Sequence, residues 1–362
     1  MIKKNIILYD SVISLNNEGH NLDYIENLRQ VISSKTEHNA TNLFPLKNEV
    51  RSNKLYALIR STIDLNKILA NKENDCIVIA PNLTNLDWIT LFLIVRRYKK
   101  IKFIVFYRRL LKKAGLKNFI IGQLFKKTIA SQNCYVVSDS RSILRTINVD
   151  EDLFKIAIPP RKINKSFQAR EEISFDKIAK KECLIFSMVG MLREDKGIDH
   201  YKRIIIETLN INENCFFVLH ATCNSDVMKN KLAGLKRDLG QNKKFFLIER
   251  YLNSDEYSWL LSNIDVLILP YDVDEYADGS SGPMAESVSL DKIVISTRLS
   301  WAINEFQDYK KIIWLESLED AELKLALQKA IDKSKKIYKG QNLIANKFNE
   351  DWLRVFKQVG IK

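Results

Sequence analysis

Short apolar runs recur along the chain, each ending in a polar or glycine-bearing turn and followed by a segment of helical character. They read NIILYD, CIVIAP, IKFIVFY, NCYVVSD, CLIFSMVG, CFFVLHA, KFFLIER, DVLILPY and KIVIST. Continuous β-branched and aromatic residues, rather than an alternation with polar ones, suit strands covered on both faces of a parallel sheet. Strands alternating with helical segments predict βαβ units and an α/β architecture of doubly wound sheets.

The pattern breaks once. Between the fourth and fifth runs lies IPPRKINKSFQAREEISFDKIAKKE, with a Pro-Pro pair, dense charge and little apolar content before Ile173. This is the best linker in the chain and places a domain boundary near residue 178. The two domains expected are then 1–178 and 179–345, with a C-terminal helix over about 346–362 packing back on the first. A length of 362 residues fits two cores rather than one.

Open α/β sheets bind ligands beyond the carboxyl ends of their strands, so the segments after each run carry the candidate chemistry. In the first half these are SLNNEGHNLDY, PNLTNLD and SDSRS. In the second they are GMLREDKG, HATCNSD, RYLNSDEY and PYDVDEYADGSSGP.

Two of these loops complement each other. VGMLREDKG leaves a strand at Gly190 and sets Arg193 and Lys196 three residues apart at the mouth of the next helix. The other holds Gly279, Ser280, Ser281 and Gly282 before a helix opening near Pro283, a residue suited to a first turn because its missing N–H has no intrahelical partner there. Only eleven glycines occur in the chain, yet two stand within this short loop. Two cations and a fan of backbone donors suit a diphosphate. Glu286, one turn beyond Pro283, would be repelled by phosphate unless it faces a hydroxyl-bearing group such as a ribose diol. The bland alternative makes Glu286 a solvent-exposed helix residue and pairs Arg193 and Lys196 with Glu194 and Asp195.

These residues resemble the donor domain of GT-B glycosyltransferases, particularly retaining glycosyltransferase family 4. The family's G-x-(I/L)-R-x-x-K-G stands here as Gly190, Leu192, Arg193, Lys196 and Gly197. Its E-x7-E signature corresponds to Asp278, Gly279, Pro283 and Glu286, with aspartate replacing the first glutamate. The resemblance spans about residues 182–300. It implies two Rossmann-like domains facing a central cleft, the first binding an acceptor and the second a nucleotide sugar.

On that resemblance Arg193, Lys196 and Asp278 are catalytic. The glycine-bearing loop NNEGHNLDY in the first half adds Gly19 beside the donor and His20 against the transferred sugar or diphosphate. Gly190, Tyr251, Gly279, Ser280, Ser281, Gly282 and Glu286 line the donor, whereas Asn82, Asn85 and Asp87 face the acceptor. A UDP- or GDP-linked sugar is then a substrate rather than a cofactor, the acceptor is a saccharide or a lipid-linked saccharide, and no metal is needed. A D-x-D formed by Asp272 and Asp274 leaves a metal-dependent alternative.

Charge adds one element. The net charge is +13, and residues 96–127 alone hold twelve Lys or Arg and no Asp or Glu. Cationic pairs there are interleaved with Phe106, Leu110, Leu111, Leu116, Phe119, Ile120, Leu124 and Phe125, which predicts a surface for anionic membrane. No apolar run reaches membrane-spanning length, MIKKNIILYDSVISL fits a first strand better than a leader, and five cysteines without C-x-x-C spacing suggest reduced thiols. The expected location is cytoplasmic, peripheral at the inner membrane face. Two other readings stay open: a GT-B nucleotide-sugar 2-epimerase, and a non-enzymatic basic protein binding nucleic acid. The second lacks any recognised nucleic-acid motif.

Overall fold

The computed structural model describes residues 5–10, 20–36, 38–43, 54–70, 76–83, 87–108, 116–160, 166–175, 182–276, 279–335 and 343–361. By its internal contacts the chain divides into Met1–Ala157 with Asn346–Lys362, and Ile158–Ala345. The division falls ahead of the boundary expected near residue 178, because Ile173 and Phe175 are fully buried in the core of the second unit.

The first unit runs β1 (Asn5–Asp10), α1 (His20–Lys35), β2 (Asn39–Leu43), α2 (Lys54–Ala70), β3 (Cys76–Asn82), α3 (Asp87–Arg97), β4 (Lys102–Phe106), α4 (Leu116–Ile129), β5 (Cys134–Val137), α5 (Arg141–Thr146) and α6 (Glu151–Phe154). Its strands are all parallel in the order β2-β1-β3-β4-β5. Successive strand residues point to opposite faces. Ile6 and Leu8 therefore join Tyr24, Ile25 and Leu28 of α1 in one core, while Ile7 and Tyr9 join Leu65, Trp88, Leu91 and Phe125 in the other.

The second unit continues β6 (Leu184–Met191), α7 (Tyr201–Ile211), β7 (Cys215–Thr222), α8 (Asp226–Leu239), β8 (Phe245–Ile248), α9 (Ser254–Asn263), β9 (Val266–Leu269), α10 (Gly282–Ser289), β10 (Ile293–Thr297), α11 (Ser300–Phe306), β11 (Ile312–Leu315) and α12 (Asp320–Ser334). This sheet is also parallel, ordered β11-β10-β9-β6-β7-β8. Phe217 and Leu219 of β7 enter one core and Phe216 and Val218 the other, which is why such strands read as unbroken apolar runs. The last helix, α13 (Leu343–Gln358), returns to the first unit, where Phe348, Trp352, Val355 and Phe356 are buried. The Asp351 carboxylate accepts the Ala157 N–H at 2.8 Å and ties the middle of that helix to the segment after α6.

All nine apolar runs are strands, and two strands lack such a run. β2 is NATNL and β11 only IIWL. Both are sheet edges; β2 is too polar to show as an apolar run, whereas β11 is apolar throughout but only four residues long.

Candidate functional site

Counted outward from β6, the second sheet places β7 and β8 on one side and β9, β10 and β11 on the other. That is the 3-2-1-4-5-6 order of dinucleotide-binding sheets, with its topological switch between β6 and β9. The two loops singled out by composition leave these two strands.

Gly190, the penultimate residue of β6, has φ 114°, and a Cβ there would stand 3.2 Å from Lys196 Nζ. The Lys196 ammonium thus lies close over the strand end. Gly197 adopts the left-handed conformation, φ 71°, and a Cβ on it would come within 2.0 Å of the Pro270 carbonyl oxygen. Only glycine allows the β6 loop to approach the residue after β9 so closely. The Asp272 N–H donates to the Asp195 carbonyl at 3.0 Å and ties the same two loops.

Arg193 is held by its neighbour. Its Nε and Nη2 donate to the two carboxylate oxygens of Asp195 at 2.8 and 2.7 Å. The pairing that the bland alternative expected is therefore present for Arg193, and it fixes the plane of the guanidinium. Two tyrosines that the motifs did not mark complete the arrangement. Tyr271 and Tyr276 pack with ring centroids 4.5 Å apart. Arg193 lies 5.8 Å from the Tyr276 ring and Lys196 5.7 Å from the Tyr271 ring. Burial drives the Tyr271 phenol well above its ordinary range, so it stays neutral.

Tyr276 also braces the glycine loop. Its hydroxyl donates to the Ser280 carbonyl at 2.9 Å, and a Cβ on Gly279 would meet its ring at 2.7 Å. Ser281 caps α10 by accepting the Met284 N–H, with Pro283 in the first turn. The Gly279 N–H is spent on the Tyr276 carbonyl. Among the described residues the amides of Ser280, Ser281 and Gly282 have no acceptor within the chain. Three consecutive donors at the start of a helix are a geometry suited to an anion.

Glu286 is buried, with 5% of its surface exposed, so it is not a solvated helix residue. Asp278 lies outside the described residues. Tyr251 stands apart from the cluster: it follows the edge strand β8 and is 60% exposed. Its neighbour Arg250 forks onto the buried carboxylate of Glu256 at 2.8 Å twice, within the capping box that starts α9. Asp272, the first acid of the D-x-D, caps its own turn: its Oδ1 accepts the N–H groups of Asp274 and Glu275 at 2.9 and 2.8 Å.

The first sheet has its switch between β1 and β3, which pair directly with Asp10 opposite Asn82. The loop bearing Gly19 and the segment bearing Asn82, Asn85 and Asp87 thus leave adjacent strands. His20 is the first residue of α1, Asn82 the last of β3, and Asp87 the buried first residue of α3. Gly19 and Asn85 lie outside the described residues.

The basic segment is not one continuous surface. Phe106 belongs to the buried strand β4, and Phe125 packs into a core, so neither faces solvent. Arg96, Arg97, Lys99, Lys100, Lys126 and Lys127 are exposed, as are Phe119 and Ile120; Leu110, Leu111, Arg109, Lys112 and Lys113 lie outside the described residues. No helix among the described residues is long and apolar enough to cross a membrane. None of the five cysteines is in a disulfide, and burial pushes the Cys215 thiol up to about 11.

No protein-family model and no curated protein sequence matches this chain. Its fold does match solved structures. The catalytic domain of starch synthase IV from Arabidopsis thaliana, bound to ADP and acarbose, superposes with a TM-score of 0.71 at 11% identity, covering 99% of each chain. Anabaena HepE with UDP-glucose gives 0.65 at 11% identity, over 99% of this chain and 98% of that one. WaaG, a glycosyltransferase of lipopolysaccharide biosynthesis, gives 0.58 at 13% identity, over 98% and 95%. The chain has the GT-B fold. At such identities the likeness fixes the architecture of both units, and the family 4 assignment rests on the motif residues alone.

Proposed function

We propose that this protein is a glycosyltransferase that moves a sugar from a UDP- or GDP-linked donor to a saccharide or lipid-linked acceptor. The observation that supports the reading is that the loops bearing Arg193 and Lys196 and bearing Ser280–Gly282 leave the two strands at the switch point of the second sheet and share Tyr276, which lies against Arg193 and donates to the Ser280 carbonyl. Glycosyl transfer leaves positive charge on the anomeric carbon and negative charge on the departing diphosphate. Fixed cations and amides aimed at that diphosphate lower the barrier because they need not reorganise as charge develops. Glu286 accepts from the ribose hydroxyls, while His20 and Asp278 contact the transferred sugar. Asn82, Asn85 and Asp87 serve the acceptor. Retention of configuration and independence of metal follow from the family 4 resemblance. Arg96, Arg97, Lys99, Lys100, Phe119 and Ile120 dock the chain on anionic membrane, a narrower surface than residues 96–127 as a whole.

The test is a screen of UDP- and GDP-sugars for binding and hydrolysis by the native chain and by Glu286→Gln. A charge-assisted hydrogen bond is worth about 1.5–3 kcal/mol, so the variant should lose roughly tenfold or more in donor affinity and most turnover while staying folded. Native protein that binds neither UDP nor GDP refutes the reading. Release of nucleotide with an epimerised sugar, independent of acceptor, would make it an epimerase.

A further inference from the structure

A helix outside the basic segment lies beside it in the fold. α2, α3 and α4 cover one face of the first sheet, where Leu65 and Leu69, Trp88 and Leu91, and Ile121 and Phe125 enter the same core. Each links parallel strands, so the three run in one direction across the sheet. The Thr62 and Thr90 hydroxyls meet at 2.8 Å between α2 and α3, and the Tyr98 hydroxyl donates to the Asn66 side-chain oxygen at 2.8 Å. The Trp88 and Phe125 rings lie 4.7 Å apart between α3 and α4. These contacts join the three helices into one layer.

Its outer surface is apolar to an extent that the rest of the chain is not. Nine large apolar side chains are exposed among the described residues, and five stand here: Ile59 and Ile63 on α2, Leu93 on α3, Phe119 and Ile120 on α4. On α2 the two isoleucines and exposed Lys67 recur every fourth residue, a stripe turned away from buried Leu65 and Leu69. Lys67 joins the six exposed cations named above. Against them, the three helices and the turn from α3 to β4 hold two acids, Asp64, which is half-buried, and Asp87, which is buried. The opposite face of the same sheet differs. There α1 and α13 expose no large apolar side chain among the described residues, and the exposed acids Glu26 and Glu350 stand on them. Covering a sheet therefore does not demand exposed isoleucines, and such a surface marks a partner. The partner must offer apolar depth and negative charge over the breadth of three helices. An anionic bilayer supplies acyl chains to the one and phosphate headgroups to the other.

We propose that α2, α3 and α4 form a single docking face for an anionic lipid bilayer, into which Ile59, Ile63 and Leu93 insert beside Phe119 and Ile120. The inference rests on the membrane reading of the basic segment and extends it to a helix far from that segment in sequence. With the helical layer flat on the lipid, the carboxyl edge of the first sheet stands about one helix diameter, roughly 10–12 Å, from the bilayer. The test is sedimentation of the full chain with mixed phosphatidylglycerol–phosphatidylcholine vesicles at low salt, and with phosphatidylcholine alone. Native protein should bind the mixed vesicles and bind phosphatidylcholine much more weakly. Ile59→Ser, Ile63→Ser and Leu93→Ser combined leave every cation in place and should lower affinity for the mixed vesicles roughly tenfold or more. Ile63→Trp should lose most of its added fluorescence to phosphatidylglycerol brominated along the acyl chain. Native-like binding by the triple variant, or unquenched Ile63→Trp on bound vesicles, overturns this inference and leaves docking to the basic segment alone. Native protein that ignores anionic vesicles overturns both. A native dimer in sedimentation velocity without lipid, abolished by the triple variant, would assign the face to a second copy instead. Circular dichroism identifies a triple variant that fails to fold; Ile63→Ser and Leu93→Ser singly, each expected to lose about a few-fold, then decide, and native-like binding by both overturns the inference.

Discussion

Replacing Gly197 with alanine tests the meeting of the two donor-side loops directly. The residue has φ 71°, and its new Cβ would lie 2.0 Å from the Pro270 carbonyl oxygen, where ordinary contact begins at 3.4 Å. The loops must therefore separate by about 1.4 Å, the difference between those distances. No rotamer relieves the clash, because both atoms are fixed by the backbone. Left-handed backbone costs an alanine about 1–2 kcal/mol, and forced displacement of packed structure about 1–3 kcal/mol more. The sum, about 2–5 kcal/mol, should lower the melting midpoint of the second unit by roughly 4–20 °C. Lys196 precedes Gly197 directly, so the displacement should also move its ammonium from Gly190 and weaken nucleotide binding. Differential scanning calorimetry with UDP and GDP titrations reads both effects. Gly122→Ala is the control: a Cβ there meets nothing within 4 Å on α4, so stability should hold or rise slightly. A Gly197→Ala protein that melts and binds nucleotide like the native chain would refute the described approach of the loops.

Three further outcomes are expected. Arg193→Ala or Lys196→Ala should lower turnover by about 10²–10³-fold with a smaller loss of donor affinity, because charge on the leaving diphosphate grows toward the transition state; steady-state kinetics against direct binding separates the two, and equal losses would contradict it. Hydrogen bonds from Arg250 hold the Glu256 carboxyl below its ordinary value of 4.5. The stability of native protein relative to Glu256→Gln should accordingly be fully present above about pH 4.5 and lost as pH falls through the lower folded value, a window that urea melts at stepped pH would check. Changing Arg96, Arg97, Lys99 and Lys100 to glutamine together with Phe119→Ser and Ile120→Ser should reduce sedimentation with anionic vesicles at low salt and spare donor hydrolysis. Unchanged sedimentation would leave that face as a solvated surface.

The sequence by itself determined nine of the eleven strands, because a strand covered on both faces is apolar throughout. It also marked the candidate site: two glycine-bearing loops, the Arg193–Lys196 spacing and Glu286 are visible as residue types in order. It did not reveal β2 or β11: NATNL carries too little apolar content to stand out, and IIWL is apolar but only four residues long. Nor did it show that apolar residues interleaved with these cations belong to the core, Phe106 on β4 and Phe125 on α4, because charge counting ignores which neighbours point inward. Only the tertiary structure set Gly197 against Pro270, packed Tyr271 against Tyr276, forked Arg193 onto Asp195 and laid Arg108 over Tyr24 and Phe106. Each of these depends on which strands lie side by side. Periodicity reports how deeply a residue is buried, but the order of strands across a sheet is fixed by packing between segments distant in the chain.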